Sequence, residues 1–360
     1  MNRVISVEDP GTFRKPWTGR ALATGGSGGV PRRSGIGLLL EPLRLVYELV
    51  ARNLYWRCAA FRRLHYRYVC RRRPAIQESS REDLRAYLKE IGIVPGALVL
   101  LHTRIVGVRI ASDAVARAED YGTTAETLLS DVLDLLGPSG TLAMPTNAKY
   151  QKEELRGDAS LQRLIRYDPA RSHCSVGLVN ELFRRQSGVE RSLFPFNMLA
   201  VHGPLADELL RDNLNERKPS PHGVDSGYYR ICQHNGLMVS IGVPLADCFT
   251  LAHVVEEVRP DWPIGDFMME RRYEVVLDGR TTEWTVRLTR EEYSRFCCCR
   301  RKMGRDLVAE GVIHEGRIGS LRVDWARAAE VYEFFWRKTE KHPYPYYGLW
   351  LSRIPWGRPK

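Results

Sequence analysis

Between residues 97 and 243 the chain alternates short apolar runs with segments of helical periodicity, and this alternation restricts it to an α/β architecture. Residues 97–102, 141–144, 199–201 and 237–243 are apolar almost throughout, the pattern of strands buried on both faces. Residues 124–136 lie between them with apolar side chains at helical spacing, ended by Gly137-Pro138. Residues 176–185, 206–211 and 226–232 read as further helices. Upstream, Ser79-Ser80-Arg81-Glu82 is a capping-box-like start for a helix over 82–91. After His253 the pattern changes: 273–277 and 282–288 flank Asp278-Gly279, a hairpin signal. Helices are expected over 291–310 and 325–338. No internal repeat is visible.

A chain of 360 residues accommodates one large domain or two ordinary ones. No stretch approaches the roughly 18 uninterrupted apolar residues of a membrane span. The N-terminus does not read as a signal peptide, since Val4-Ile5-Ser6-Val7 runs straight into Glu8 and Asp9. The eight cysteines, at 58, 70, 174, 232, 248 and 297–299, show no zinc-knuckle spacing. They read as free thiols in a reducing compartment, so the expected location is cytoplasmic.

The net charge of +11 is unevenly placed. Residues 1–78 hold 15 Lys and Arg against 5 Asp and Glu, whereas the rest of the chain holds 39 against 38. Any attraction to an anionic surface therefore belongs to the leader. Within it, residues 1–35 are rich in glycine and poor in large apolar groups, and are expected to be disordered. Residues 36–76 read as a basic amphipathic helical segment ended by Pro74. Leu43, Val46, Tyr47, Val50, Leu54, Phe61 and Leu64 recur near helical spacing over 38–73, interleaved with arginines. This composition fits a helix lying on the inner membrane face, and equally a helix packed on the protein's own body or on a second subunit. Its apolar content is high for a nucleic-acid arm, so no nucleic-acid partner is expected.

The most informative chemistry lies in Thr250-Leu-Ala-His253-Val-Val-Glu256. A helix places His253 and Glu256 on one face. A carboxylate beside an imidazole fixes its tautomer and raises its basicity, as a general base requires; a solvated surface pair has the same spacing. A metal site is not expected, because Glu256 is followed by Glu257 where the inverted zinc-protease pattern needs a histidine.

Several blocks, taken in order, resemble the aminoglycoside 3-N-acetyltransferase family of acetyl-CoA-dependent antibiotic N-acetyltransferases. They are Leu98-Val-Leu-Leu-His102-Thr103, Gly137-Pro-Ser-Gly140-Thr141-Leu-Ala-Met-Pro145-Thr146, Tyr167-Asp168-Pro169, Gly177, Glu181-Leu-Phe183-Arg184, Arg191-Ser192, Gly203-Pro204-Leu-Ala206, Gly223 with Ser226, and Thr250 to Glu256. The resemblance runs over about 79–344 and leaves out the leader. It implies a three-layer α/β/α domain with a mostly buried central sheet and a small C-terminal antiparallel hairpin plus helices, over 79–345, followed by a tail over 346–360. It implies acetyl-CoA as co-substrate, a small-molecule amine acceptor and no metal. His253 takes the family's catalytic position, supported by Glu256, with Thr250 as a donor to the oxyanion. The co-substrate side would use Thr103, Arg104, Ser175, Val176, Gly177, Arg191 and Ser192; the acceptor side would use Asp168, Phe194, Asn197 and Asp247. A homodimer is the expected assembly.

Many family members have His and Ser where this chain has Phe194 and Met198, giving it a more apolar cleft wall. The near-neutral body and basic leader point to an amine on an amino sugar, nucleotide- or lipid-linked, as the acceptor. An aminoglycoside acceptor, with resistance as the outcome, is the alternative within the same chemistry. A catalytically inactive, membrane-associated binding subunit is the alternative outside it.

Overall fold

A computed structural model describes residues 35–69, 76–111, 121–150, 164–248, 250–290, 292–341 and 344–348. The disorder expected before Gly35 and most of the expected C-terminal tail lie outside these residues. In chain order the elements are α1 (Gly35–Arg57), α2 (Ala59–Val69), β1 (Gln77–Ser80), α3 (Arg81–Glu90), β2 (Leu98–Thr103), β3 (Val108–Ala111), α4 (Tyr121–Leu136), β4 (Thr141–Pro145), β5 (Ile165–Tyr167), α5 (Leu178–Phe183), β6 (Glu190–Arg191), β7 (Leu199–His202), α6 (Ala206–Leu210) and α7 (Gly227–Gln233). Then follow β8 (Leu237–Ile241), a 3-10 turn (Leu245–Asp247), α8 (Ala252–Val258), β9 (Met268–Leu277), β10 (Arg280–Thr289), a π-helical turn (Glu292–Cys297), α9 (Arg300–Ala309), β11 (His314–Ile318), β12 (Leu321–Arg327) and α10 (Ala328–Thr339).

Seven strands form the central sheet in the order β11-β12-β8-β2-β4-β7-β6. The three middle strands β8, β2 and β4 are parallel, and antiparallel strands finish both edges. Side chains alternate across β2 as a strand requires. Leu98 and Leu100 enter one core with α1, α7, α8, α9 and α10, while Val99 and Leu101 enter the other with α3, α4 and α5. This produces the α/β/α layering, and burial on both faces explains why these strands are apolar throughout. The β9–β10 hairpin turns at Asp278 and Gly279, both at positive φ, and joins β5 over a smaller core of Tyr167, Tyr273, Phe194 and Met198. Phe194 is thus a packing residue, 3% exposed.

Ser80 caps α3 by accepting a hydrogen bond from the Asp83 backbone N–H. Four expected helices are corrected. The segment over 38–73 breaks at Cys58 into α1 and α2. The helix expected over 291–310 is interrupted by Cys298, whose backbone pairs with Tyr347. The helix expected from residue 325 begins at Ala328, because β12 continues through Arg327 against β8. The helix expected over 176–185 is the shorter α5.

Helix α1 is docked on the domain. Leu49 is fully buried, Asn53 donates to the Phe296 carbonyl at 3.1 Å, and Arg52 donates to the carbonyls of Ser294 (2.7 Å) and Cys298 (3.2 Å). Glu48 accepts from the Arg301 backbone N–H at 2.8 Å. Tyr346 and Tyr347, expected in the tail, are packed in the same core. No described helix is long and apolar enough to cross a membrane.

Candidate active site

Helix α8 follows the loop that leaves β8 at its carboxyl end, the edge where open α/β sheets place their ligands. Gly242 permits this turn: it stands at φ +75, and a Cβ there would lie 2.3 Å from the Arg104 carbonyl. His253 Nδ1 lies 2.6 Å from Glu256 Oε2, one helical turn away. Glu256 is 2% exposed, and its second oxygen accepts a hydrogen bond from the Tyr347 hydroxyl at 2.8 Å. With both carboxylate oxygens engaged, Nδ1 carries the proton and Nε2 keeps its lone pair. The His253 side chain retains 16% exposure, whereas that of Glu256 has none. Burial works against a charge on His253, but the adjacent Glu256 carboxylate outweighs it, and the imidazole pKa stands above its ordinary value. Burial raises the Tyr347 phenol well above its usual range, and Glu256 adds to this, so the hydroxyl is a proton donor to the carboxylate.

A second imidazole–carboxylate pair adjoins the first. His222 Nδ1 lies 2.8 Å from Glu257 Oε1, and the His222 backbone N–H donates to Glu257 Oε2 at 2.7 Å. The side chains of His222 and Glu257 are only 2% and 1% exposed. The rings of His222 and His253 are 5.3 Å apart between centroids. Gly223 and Ser226 belong to the blocks that carry the family resemblance but His222 does not, and Glu257 stood out only as the residue where a zinc site needs a histidine. Tyr347 was missed because it belongs to the expected tail; the aromatic run Tyr344-Pro-Tyr346-Tyr347 was the available signal.

The residues expected on the co-substrate side divide into two groups. Thr103 and the Ser175–Gly177 loop meet around Asn180, at the carboxyl ends of β2 and β4. Thr103 Oγ1 donates to Asn180 Oδ1 at 3.4 Å, Asn180 donates to the Pro145 carbonyl at 2.7 Å, and the Ser175 N–H and hydroxyl both donate to the Asn147 carbonyl. Val176 is 41% exposed beside this loop, Gly177 precedes α5, and Arg104 is exposed after β2. Arg191 and Ser192 are used internally. The Arg191 guanidinium donates to the carbonyls of Thr146, Pro169 and Ser172 and faces the Tyr167 ring; the Ser192 hydroxyl donates to Asn213 at 3.1 Å.

On the acceptor side, Asn197 adopts a left-handed φ of 47 and links Asn147 to His222. Its Oδ1 accepts from Asn147 Nδ2 at 3.2 Å, and its Nδ2 lies 3.3 Å from His222 Nε2. Asp168 accepts from the backbone N–H groups of Ala170 and Arg171 and so closes its own turn. Asp247 is exposed on the 3-10 turn, and Thr250 accepts from the His253 N–H through its carbonyl. His102 is buried, and desolvation pushes its pKa down to about 4. Burial pushes the Cys248 thiol up to about 12, which leaves it a poor nucleophile at neutral pH. No three His, Cys, Asp or Glu side chains converge as a metal site would need among the described residues.

The family model described as aminoglycoside 3-N-acetyltransferase matches residues 115–339. Aminoglycoside N(3)-acetyltransferase IX of Micromonospora chalcea is 26% identical over 276 residues, covering 71% of this chain and 91% of that relative. The crystal structure of aminoglycoside acetyltransferase AAC(3)-Xa superimposes with a TM-score of 0.58 at 25% identity, covering 72% of this chain and 92% of that one. AAC-IIIb, solved as a binary complex with CoASH, shares the fold with a TM-score of 0.58 at 21% identity, covering 74% of this chain and all of that one. With its family model matched over well more than half its length and its layered fold shared with these acetyltransferases, the chain belongs to the aminoglycoside 3-N-acetyltransferase family.

Proposed function

We propose that this protein transfers the acetyl group of acetyl-CoA to an amine of an aminoglycoside-type amino sugar, with His253 as general base. The observation that carries this reading is the His253–Glu256–Tyr347 chain, which leaves His253 Nε2 as a basic nitrogen on a side chain that retains exposure. An ammonium group has no lone pair and must first lose a proton. The free amine then attacks the thioester carbonyl, and Nε2 accepts the proton that the nitrogen sheds as the C–N bond forms. Collapse of the tetrahedral intermediate breaks the C–S bond, and the CoA thiolate leaves and takes up a proton. Thr250 and backbone N–H groups around it are the candidate donors to the oxyanion. The Thr103–Asn180–Ser175 cluster is the candidate seat of the co-substrate, in keeping with the CoASH complex of the similar AAC-IIIb.

A panel experiment tests the acceptor. Purified protein is given acetyl-CoA with deoxystreptamine aminoglycosides and, separately, with nucleotide-linked amino sugars, and products are identified by mass and NMR. Acetylation of an aminoglycoside is the expected outcome. Turnover confined to nucleotide-linked sugars would reassign the acceptor; no turnover with either, despite CoA binding, would contradict the transferase reading for both classes.

We also propose that the leader rests on an anionic membrane surface. Leu43, Val46, Tyr47, Val50 and Leu54 form a stripe on the face of α1 opposite its docked side, each at least 42% exposed. The flanking charge is arginine-rich, with Arg44, Arg57 and Arg63 exposed, and of the two acids in α1 Glu48 is buried. Two copies facing each other would set arginine against arginine, whereas anionic headgroups complement them. Co-sedimentation with phosphatidylglycerol vesicles is expected, and should weaken about tenfold for Val50→Glu. Equal binding to neutral vesicles, or no loss in the variant, would sink the idea.

A further inference from the structure

His222 and Glu257 repeat the chemistry of His253 and Glu256 one residue along α8 and in ring contact with it. Glu257 is held by three donors: the His222 ring, the His222 backbone N–H and the Ser220 hydroxyl. Burial opposes its charge, but His222 and these hydrogen bonds keep the carboxyl below its ordinary range, so it stays ionised. Asn147 fixes the Asn197 amide through Oδ1, which turns Nδ2 toward His222 Nε2. His222 thus pairs with Glu257 through Nδ1 and faces the Asn197 amide through Nε2. A continuous polar chain results: the Ser175 loop on Asn147, Asn147 on Asn197, Asn197 on His222, and His222 on Glu257. It ties the loop expected to hold the co-substrate to the ring beside the general base. Such a chain costs free energy if left partly satisfied, and a packed core would avoid it if only volume were needed.

Resting on the reading of His253 as the base, we infer that the His222–Glu257 pair is a positioning element for His253, which holds its ring by contact and sets the negative field around it. The charged and titratable groups facing His253 are Glu256 and Glu257 on its own helix, His222 on the loop before α7 and Arg300 at the start of α9. Of these, Arg300 opposes and Glu257 supports protonation of His253.

The test uses the full-length protein with acetyl-CoA and its best acceptor. Glu257→Gln keeps the shape and one of the two oxygens that accept from His222, and removes the charge. Its acid limb of kcat should move to lower pH by about one unit, since the protonated form of His253 loses a supporting carboxylate. His222→Gln removes the ring contact and should lower kcat by about 10- to 100-fold. CoA affinity by calorimetry should stay within about threefold in both, because Ser175 bonds to the Asn147 main chain; this also reports that the variants are folded. Superimposable pH profiles and unchanged kcat in both variants would overturn the inference. His253→Ala is measured alongside: inactivity there with unchanged Glu257→Gln and His222→Gln defeats the positioning role alone, while activity there defeats the base assignment and the inference with it.

Discussion

His253→Ala is expected to lower kcat by about 10²- to 10⁴-fold, the range that a positioned general base contributes. The size follows from the geometry. The His253 side chain keeps 16% exposure, against 2% for His222, and its Nδ1 is committed to Glu256, so only Nε2 can take the proton from the amine. The loss should appear in kcat rather than in CoA affinity, because the cluster around Asn180 proposed to seat the co-substrate lies on β2, β4 and the loop before α5. The wild type should also show an acid limb assignable to this group. Its pKa is raised above 6.5, so protonation silences the base as pH falls through that raised value, and rate is regained above it. The variant should lack this limb. Steady-state rates across pH, with CoA binding as the folding control, decide the matter; a variant within tenfold of wild type would remove His253 from the chemistry.

Glu256→Gln should cost nearly as much, about 10²- to 10³-fold, although it changes one atom. The carboxylate accepts from His253 Nδ1 through one oxygen and from the Tyr347 hydroxyl through the other. The glutamine removes the buried counter-charge of the imidazolium in either amide orientation, since the tyrosine hydroxyl can accept as well as donate, and in one orientation its NH₂ group turns to the imidazole. Nδ1 must then accept, and the proton moves to Nε2, where the lone pair is needed. Swapping a buried acid for its amide produces this wrong tautomer in other histidine-dependent enzymes, with losses up to about 10⁴-fold. Tyr347→Phe, which leaves Glu256 in place, should cost far less. Equal losses in the two variants would show that Glu256 acts through packing rather than through the tautomer.

The layered sheet was legible because β2, β4 and β8 are buried on both faces and contain almost nothing polar. The His253–Glu256 pair was legible because both residues lie within one helical turn. What the sequence concealed was set by distant partners. Tyr347 is 91 positions from Glu256, and His222 is 35 from Glu257. The helix expected through residues 291–310 has no local breaker; it is interrupted where Cys298 pairs with Tyr347 and Arg52 of α1 takes the Cys298 and Ser294 carbonyls. The resemblance places Arg191 on the co-substrate side, but its guanidinium donates to three backbone carbonyls and the Thr146 hydroxyl, a use no motif distinguishes. The leader could be assigned to a membrane, to the protein's own body or to a second subunit; α1 has one face packed on the domain and the other face apolar and exposed.

Direct acetyl transfer is tested most simply by following CoA thiol release while recording the intact mass of the protein. Acetyl-CoA alone should release no CoA and leave the protein mass unchanged, since Cys248 has a thiol raised to about 12 and no acyl-enzyme is required. Adding an aminoglycoside should start CoA release in step with acetylated product. An acetylated protein formed before the amine is added, or the absence of CoA release with any amine in the panel, would contradict direct transfer to the amine with His253 as base.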